Sequence, residues 1–217
     1  MKHYGTLILA FAAMLAAAAE PPKELDDFSR PGILQSFAAI GQKNAAFRVV
    51  DGENGKAVLF TATPGDTLWP GGALVAPEGG WDLSKYGTIE AKVYNPNEEK
   101  LRVWMRVDDC SGLTRRTQNL TFGDIPPKSS AIVRLYFTNN GRNYILDTTR
   151  ISQVFFYLYA LKKPFDLRID SIKAAGSPGD RPAWQAVLVK PENGVLADFK
   201  SGRFDRYANP RAGYVRK

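Results

Sequence analysis

From Phe47 onward the apolar residues recur at every second position, the period of a strand with one buried face. Over 88–94, Ile89, Ala91 and Val93 alternate with Thr88, Glu90, Lys92 and Tyr94. Over 101–108, Leu101, Val103, Met105 and Val107 alternate with Arg102, Trp104, Arg106 and Asp108. Each segment therefore presents one apolar face and one polar-aromatic face. The same period predicts further strands over 47–50, 57–63, 117–122, 131–137, 154–161 and 167–174. Turn residues separate them: Gly52 and Gly55, Asn95 to Asn97, Pro126 and Pro127, and Asn139 to Gly141. Only 31–43 hints at a short helix. Short strands with frequent turns and no helical alternation predict an all-β fold, an antiparallel sandwich or barrel.

The ends of the chain read differently. Lys2 and His3 precede an apolar run that closes in Ala17, Ala18 and Ala19 before Glu20, Pro21 and Pro22. A basic start, an apolar stretch of about 7–15 residues and a small-residue cleavage site describe a secretory signal peptide, and the run is too short to span a bilayer. The expected organisation is a leader at 1–19, a sandwich domain at 20–175, and a linker with an irregular tail at 176–217. The expected location is secreted or periplasmic, without a membrane anchor.

With 44% hydrophobic and 24% charged residues, the composition is that of a folded domain. The scarcest residues change the picture most, because His3 and Cys110 are the single histidine and the single cysteine. If His3 leaves with the leader, Ser-His-Asp and Cys-His catalysis and His-ligated zinc leave with it. Cys110 has no second cysteine in the chain to pair with. The 29 Lys and Arg against 22 Asp and Glu give a formal charge of +7, spread over the chain rather than gathered in one run. Dispersed charge on an exported chain argues against a nucleic-acid partner and suits an anionic polysaccharide, whose carboxylates or sulfates Arg can pair with bidentately.

The candidate chemistry lies on the polar-aromatic faces. Arg102, Trp104 and Arg106 share one side of their strand, and Tyr157 and Tyr159 share a side opposite Val154, Phe156 and Leu158. Aromatic rings cover the C–H faces of sugars while Arg and Gln hydrogen-bond hydroxyls, so these residues predict a glycan platform. Tyr94, Gln118 and Tyr136 join it if their strands are neighbours, and Trp69 flanks it from a loop. The same rings could instead serve only as packing under a loop. Trp81, just before a strand, is expected to pin a sheet corner. Asp108 and Asp109 are adjacent and point to opposite faces, a poor acid/base pair for glycoside hydrolysis. Asn119-Leu120-Thr121 matches an N-glycosylation sequon.

The order of several short segments carries a family resemblance: Glu24 to Ser29 opening the domain, Gly80 to Tyr86 leading into a strand, Val93 to Pro96, and Phe165 to Ile172. Together, over about Leu25 to Ala175, they resemble the β-jelly-roll, galactose-binding-like carbohydrate-binding modules of secreted polysaccharide-degrading enzymes, in particular the non-catalytic N-terminal module of family 50 agarases, and so imply an antiparallel β-sandwich of the jelly-roll kind. The resemblance implies a non-catalytic module binding a galactan, agar-type or other algal or plant polysaccharide. It also implies one structural calcium, held by the positions that match its ligands, Asp27, Glu53 and Asp170. The apolar phase breaks between Ile169 and Ile172, which predicts a bulge at Asp170 and Ser171 that could turn a carboxylate toward an ion. In the tail, Phe204 to Asn209 is similar to a phrase near the start of the agarase catalytic barrel. Two alternatives stay open at this point: an agarase-like glycosidase or polysaccharide lyase, whole or truncated, and a secreted protein-interaction domain.

Overall fold

In a computed structural model, which describes residues 20–26, 28–38, 43–111, 119–138 and 146–182, the two-residue period becomes two facing antiparallel sheets. The strands are β1 (Lys23–Asp26), β2 (Ala45–Gly52), β3 (Gly55–Ala62), β4 (Gly71–Val75), β5 (Thr88–Asn95), β6 (Leu101–Asp109), β7 (Leu120–Ile125), β8 (Ser129–Tyr136), β9 (Ile151–Tyr157) and β10 (Phe165–Ala175). The larger sheet runs β2-β3-β10-β5-β8, with β1 also paired to β10; the smaller runs β4-β9-β6-β7. This is the expected all-β sandwich. The expected leader at 1–19, Asp27, Gln118 and the tail from 183 onward lie outside the described residues.

The alternating residues meet between the sheets. Val58, Phe60, Ile89, Ala91, Val93, Leu135 and Leu167 of the larger sheet face Leu74, Val103, Met105, Val107, Val154 and Phe156 of the smaller, and all are buried. Apolar burial of this extent is the main stabilising term of such a fold. Among the described residues one helix, α1 (Ile33–Ala38), packs against β4 and β2 at the side of the core. There Phe37 packs against Phe28 and Phe47, and Phe47 stacks on Phe60 with ring centroids 5.1 Å apart.

Three sequence features find their physical place. The register of β10 against β5 slips between Ile169 and Ser171, which lets both Ile169 and Ile172 face the core despite their odd spacing. Trp81 pins a corner as expected, its backbone exchanging hydrogen bonds of 2.8 and 3.0 Å with Ile151. The Asn119 side chain is fully buried, so the sequon is closed to a glycosyl group in the folded chain.

Asn95 fixes the turn after β5. Its Nδ2 donates to the carbonyl oxygens of Glu99, Ile125 and Pro126 at 2.8, 3.0 and 3.0 Å, while its Oδ1 accepts from the Asn97 backbone N at 3.0 Å. This buried amide ties the β5–β6 turn to the end of β7. It thereby sets one border of the outer face of the smaller sheet.

Candidate functional site

On the smaller sheet, the residues that point away from the core form transverse rows, because antiparallel register places partners side by side. One row runs Gly71, Tyr157, Trp104, Phe122 across β4, β9, β6 and β7. The next runs Ala73, Phe155, Arg106, Leu120. With strands about 4.8 Å apart, each four-strand row spans about 14 Å. The first row is thus a continuous aromatic strip interrupted only at Gly71.

Trp69 fills that interruption. Beyond β4 and β9 the ladder continues, with Leu158 N donating to Pro70 O at 3.0 Å and Ala160 N to Leu68 O at 2.9 Å. This extension places Trp69 opposite Tyr159, with ring centroids 4.2 Å apart, and brings the indole edge-on to Tyr157 at 5.2 Å. Gly71 is required there: a Cβ would lie 2.2 Å from the Phe156 carbonyl oxygen and 2.6 Å from Tyr157 Cβ. Gly71→Ala should therefore push β4 off β9 and cost about 1–3 kcal/mol, measured by urea unfolding. An unchanged midpoint would mean that β4 yields freely.

The strip has a buried base and an open top. Ala73, Phe155 and Tyr157 form a second apolar cluster outside the main core, with Trp104 against it. Trp104 and Tyr157 are parallel, with centroids 6.2 Å apart, and Trp104 also meets Phe122 at 5.0 Å. Trp69, Phe122 and Tyr159 are exposed at 42%, 45% and 50%. An exposed aromatic patch of this continuity marks a binding surface more often than a bare wall.

Polar groups flank the rings in fixed positions. Arg102 donates to both oxygens of Asp124, Nε at 2.7 Å and Nη2 at 2.8 Å, with its guanidinium 4.4 Å above Phe122. The hydrogen-bonded Arg102 holds the Asp124 carboxyl down at about 2, below its ordinary 3.8. The stabilisation from this pair is complete above the ordinary value and is lost as pH falls through about 2. Arg106 lies over Phe155 and donates to Asp108 Oδ2 from Nε at 3.1 Å and Nη2 at 2.9 Å; Gln153 donates to the same oxygen.

The structure brings together Trp69, Arg102, Trp104, Arg106, Tyr157 and Tyr159 from the sequence expectation. It separates Tyr94 and Tyr136, which lie on β5 and β8 of the larger sheet. Those strands pair with each other and never with β6 or β9, so the two tyrosines cannot extend the platform. Tyr94 instead lies under the Arg168 guanidinium at 4.6 Å. Phe122, Phe155, Gln153, Asp108 and Asp124 complete the face, and sequence reasoning does not mark them as binding residues. Phe122 carries a signal, standing two positions from both Leu120 and Asp124, but only its pairing with Trp104 shows where it goes.

The catalytic alternatives find little support in the same residues. Asp109 accepts from Ser111 N and Asp147 N, each at 2.9 Å, while Asp108 is engaged by Arg106 and Gln153. Burial pushes the Tyr157 hydroxyl up, more than the nearby Arg106 lowers it. That direction is opposite to what a tyrosinate base requires.

At the other sheet, Glu53 and Asp170 are neighbours, with Glu53 N donating to Asp170 Oδ1 at 3.4 Å. Each already has a cation: Lys92 lies 2.7 Å from Glu53, and Arg168 donates to both oxygens of Asp170 at 2.8 and 3.2 Å. Among the described residues no three carboxylate, His or Cys side chains gather in a metal-binding group. The two described carboxylates fit an oxygen-seeking ion only once Lys92 and Arg168 release them.

No protein-family model matches the sequence, and no curated protein matches it. Solved structures do match its fold. A family 11 carbohydrate-binding module from Clostridium thermocellum, determined in complex with a β-1,3-1,4-mixed-linked tetrasaccharide, aligns with a TM-score of 0.53 at 21% identity, over 73% of this chain and 98% of that one. An exo-β-agarase aligns with a TM-score of 0.57 at 16% identity, over 73% of this chain and 25% of the agarase chain. A further agarase gives 0.51 at 12% identity, over 74% and 25%. At these identities the likeness is one of fold, and the chain has the β-sandwich fold of that module and of the matching quarter of the agarases.

Proposed function

We propose that this chain is a non-catalytic module that binds a polysaccharide on the outer face of the four-stranded sheet. The observation that carries the reading is the transverse strip of Trp69, Tyr157, Trp104 and Phe122, in which the exposed rings of Trp69 and Phe122 are joined through the half-buried Trp104 over a buried Tyr157, with hydrogen-bonding groups on both sides. A glycan lying across the strands would rest its sugar rings on Trp104, Phe122 and Tyr159. Its hydroxyls would then reach Arg102, Asp124, Arg106 and Gln153. The fold shared with a carbohydrate-binding module and with agarases supports a polysaccharide partner, and the family resemblance points toward galactans. In this reading the leader at 1–19 sends the module out of the cytoplasm.

Affinity electrophoresis through agarose, mixed-linkage β-glucan, xylan, carrageenan and alginate tests the proposal. Retardation by at least one polymer is expected. Unretarded migration in all five gels overturns it and favours the protein-interaction reading, and release of reducing ends from any of them would make the chain an enzyme.

The calcium at Asp27, Glu53 and Asp170 belongs to the same proposal, supported by the bulge beside Asp170 and the contact between Glu53 and Asp170. Millimolar calcium should raise Tm, EDTA should reverse the rise, and Glu53→Gln should abolish it. A Tm indifferent to both reagents removes the ion from the reading.

A further inference from the structure

At the edge of the aromatic strip, the turn between β5 and β6 and the connection between β9 and β10 border an open cleft of about 740 Å³. Trp104 and Tyr159 form its apolar side. Lys100, Arg102, Lys162 and Lys163 stand around it. Three of these cations share two carboxylates: Arg102 and Lys100 meet Asp124 at 2.7 and 3.6 Å, and Lys163 meets Glu99 at 2.6 Å. Lys162 has no carboxylate partner among the described residues. The cleft therefore carries an excess of positive charge next to a ring-stacking surface.

We infer that this cleft receives an anionic substituent of the glycan, a sulfate ester or a carboxylate, carried by a sugar stacked on Trp104 and Tyr159. The inference rests on the proposed platform and names the class of polysaccharide it selects. Arg102 is already satisfied bidentately by Asp124, so the incoming anion is met by the point charges of Lys162 and Lys100 rather than by a guanidinium fork. Both ammonium groups sit on long flexible stems at the solvent boundary. The attraction is accordingly screened by salt.

The test compares the full chain, Lys162→Glu and Trp104→Ala on carrageenan, alginate and agarose, by isothermal titration at low and at 0.3 M salt (roughly 10 Å and under 6 Å of screening length). The expected result is salt-sensitive binding to a charged polymer that Lys162→Glu weakens about tenfold, with agarose binding unchanged by that variant. Loss on carrageenan alone assigns the sulfate, loss on alginate alone the carboxylate, and loss on both a charge without shape preference. Binding to charged polymers that neither salt nor Lys162→Glu alters overturns the inference, and the platform then stands or falls on Trp104→Ala alone. If Trp104→Ala binds every polymer as the parent does while Lys162→Glu does not, the platform is overturned and the cleft alone holds the anion.

Discussion

Trp104→Ala is expected to weaken polysaccharide binding by about 2 kcal/mol, roughly 30-fold in Kd, by isothermal titration or affinity electrophoresis. Trp104 is the common neighbour of the platform: its ring meets Trp69, Phe122 and Tyr157. Removing it deletes the central stacking surface and leaves Trp69 and Phe122 as separate islands on either side of the gap. The loss should exceed that of Phe122→Ala or Tyr159→Ala, which remove rings from the margin. Fold is preserved in this variant, because Trp104 stands outside the main core and its neighbours Val103 and Met105 supply the buried side of β6. A far-ultraviolet spectrum and Tm close to the parent's should accompany the loss. Undiminished affinity in a folded Trp104→Ala protein would place the glycan elsewhere on the molecule.

Asp108→Ala is expected to destabilise the fold by about 3 kcal/mol, read as a lower urea midpoint at unchanged slope. The Asp108 side chain is fully buried on the outer side of β6, and its Oδ2 receives Arg106 and Gln153 together. Truncation leaves a guanidinium and an amide beside the Phe155 ring without their acceptor. Arg106 retains 28% side-chain exposure, so water recovers part of the loss and the lower end of the range for a broken buried pair is appropriate. Asp108→Asn, which keeps an acceptor and the shape, should cost about half as much. A loss below about 1 kcal/mol for the alanine variant would mean that Arg106 is held by its packing on Phe155 rather than by the carboxylate.

Strands whose residues alternate cleanly are legible from the amino-acid order alone. The 101–108 pattern puts Arg102, Trp104 and Arg106 on one face, and they lie there. Tyr157 and Tyr159 likewise fall on the side opposite Phe156. What local periodicity cannot contain is which strand stands beside which. Tyr94 and Tyr136 have the right residue type and the right alternation, but β5 and β8 belong to the other sheet. Phe122 escapes the same reasoning although it stands directly across from Trp104. β4 is illegible for a different reason: Gly71 and Gly72 weaken a strand signal, and it is the missing side chain of Gly71 that lets β4 close on β9, while that of Gly72 leaves room for the Phe47 ring. The bulge in β10 is readable because an odd spacing of core residues has few other solutions.

The position of β10 also governs when this molecule can become itself. It lies between β5 on one edge and β3 with β1 on the other, so three strands made earlier share a partner that is made last among them. Until the polymerising chain passes Ala175, β1, β3 and β5 have no common neighbour, and joining them closes loops on the order of a hundred residues. Assembly is therefore a late and concerted event, slow beside that of a protein built from local contacts. A chain stopped before Phe165 would hold every aromatic residue of the proposed binding face and lack the central strand of the sheet that backs it.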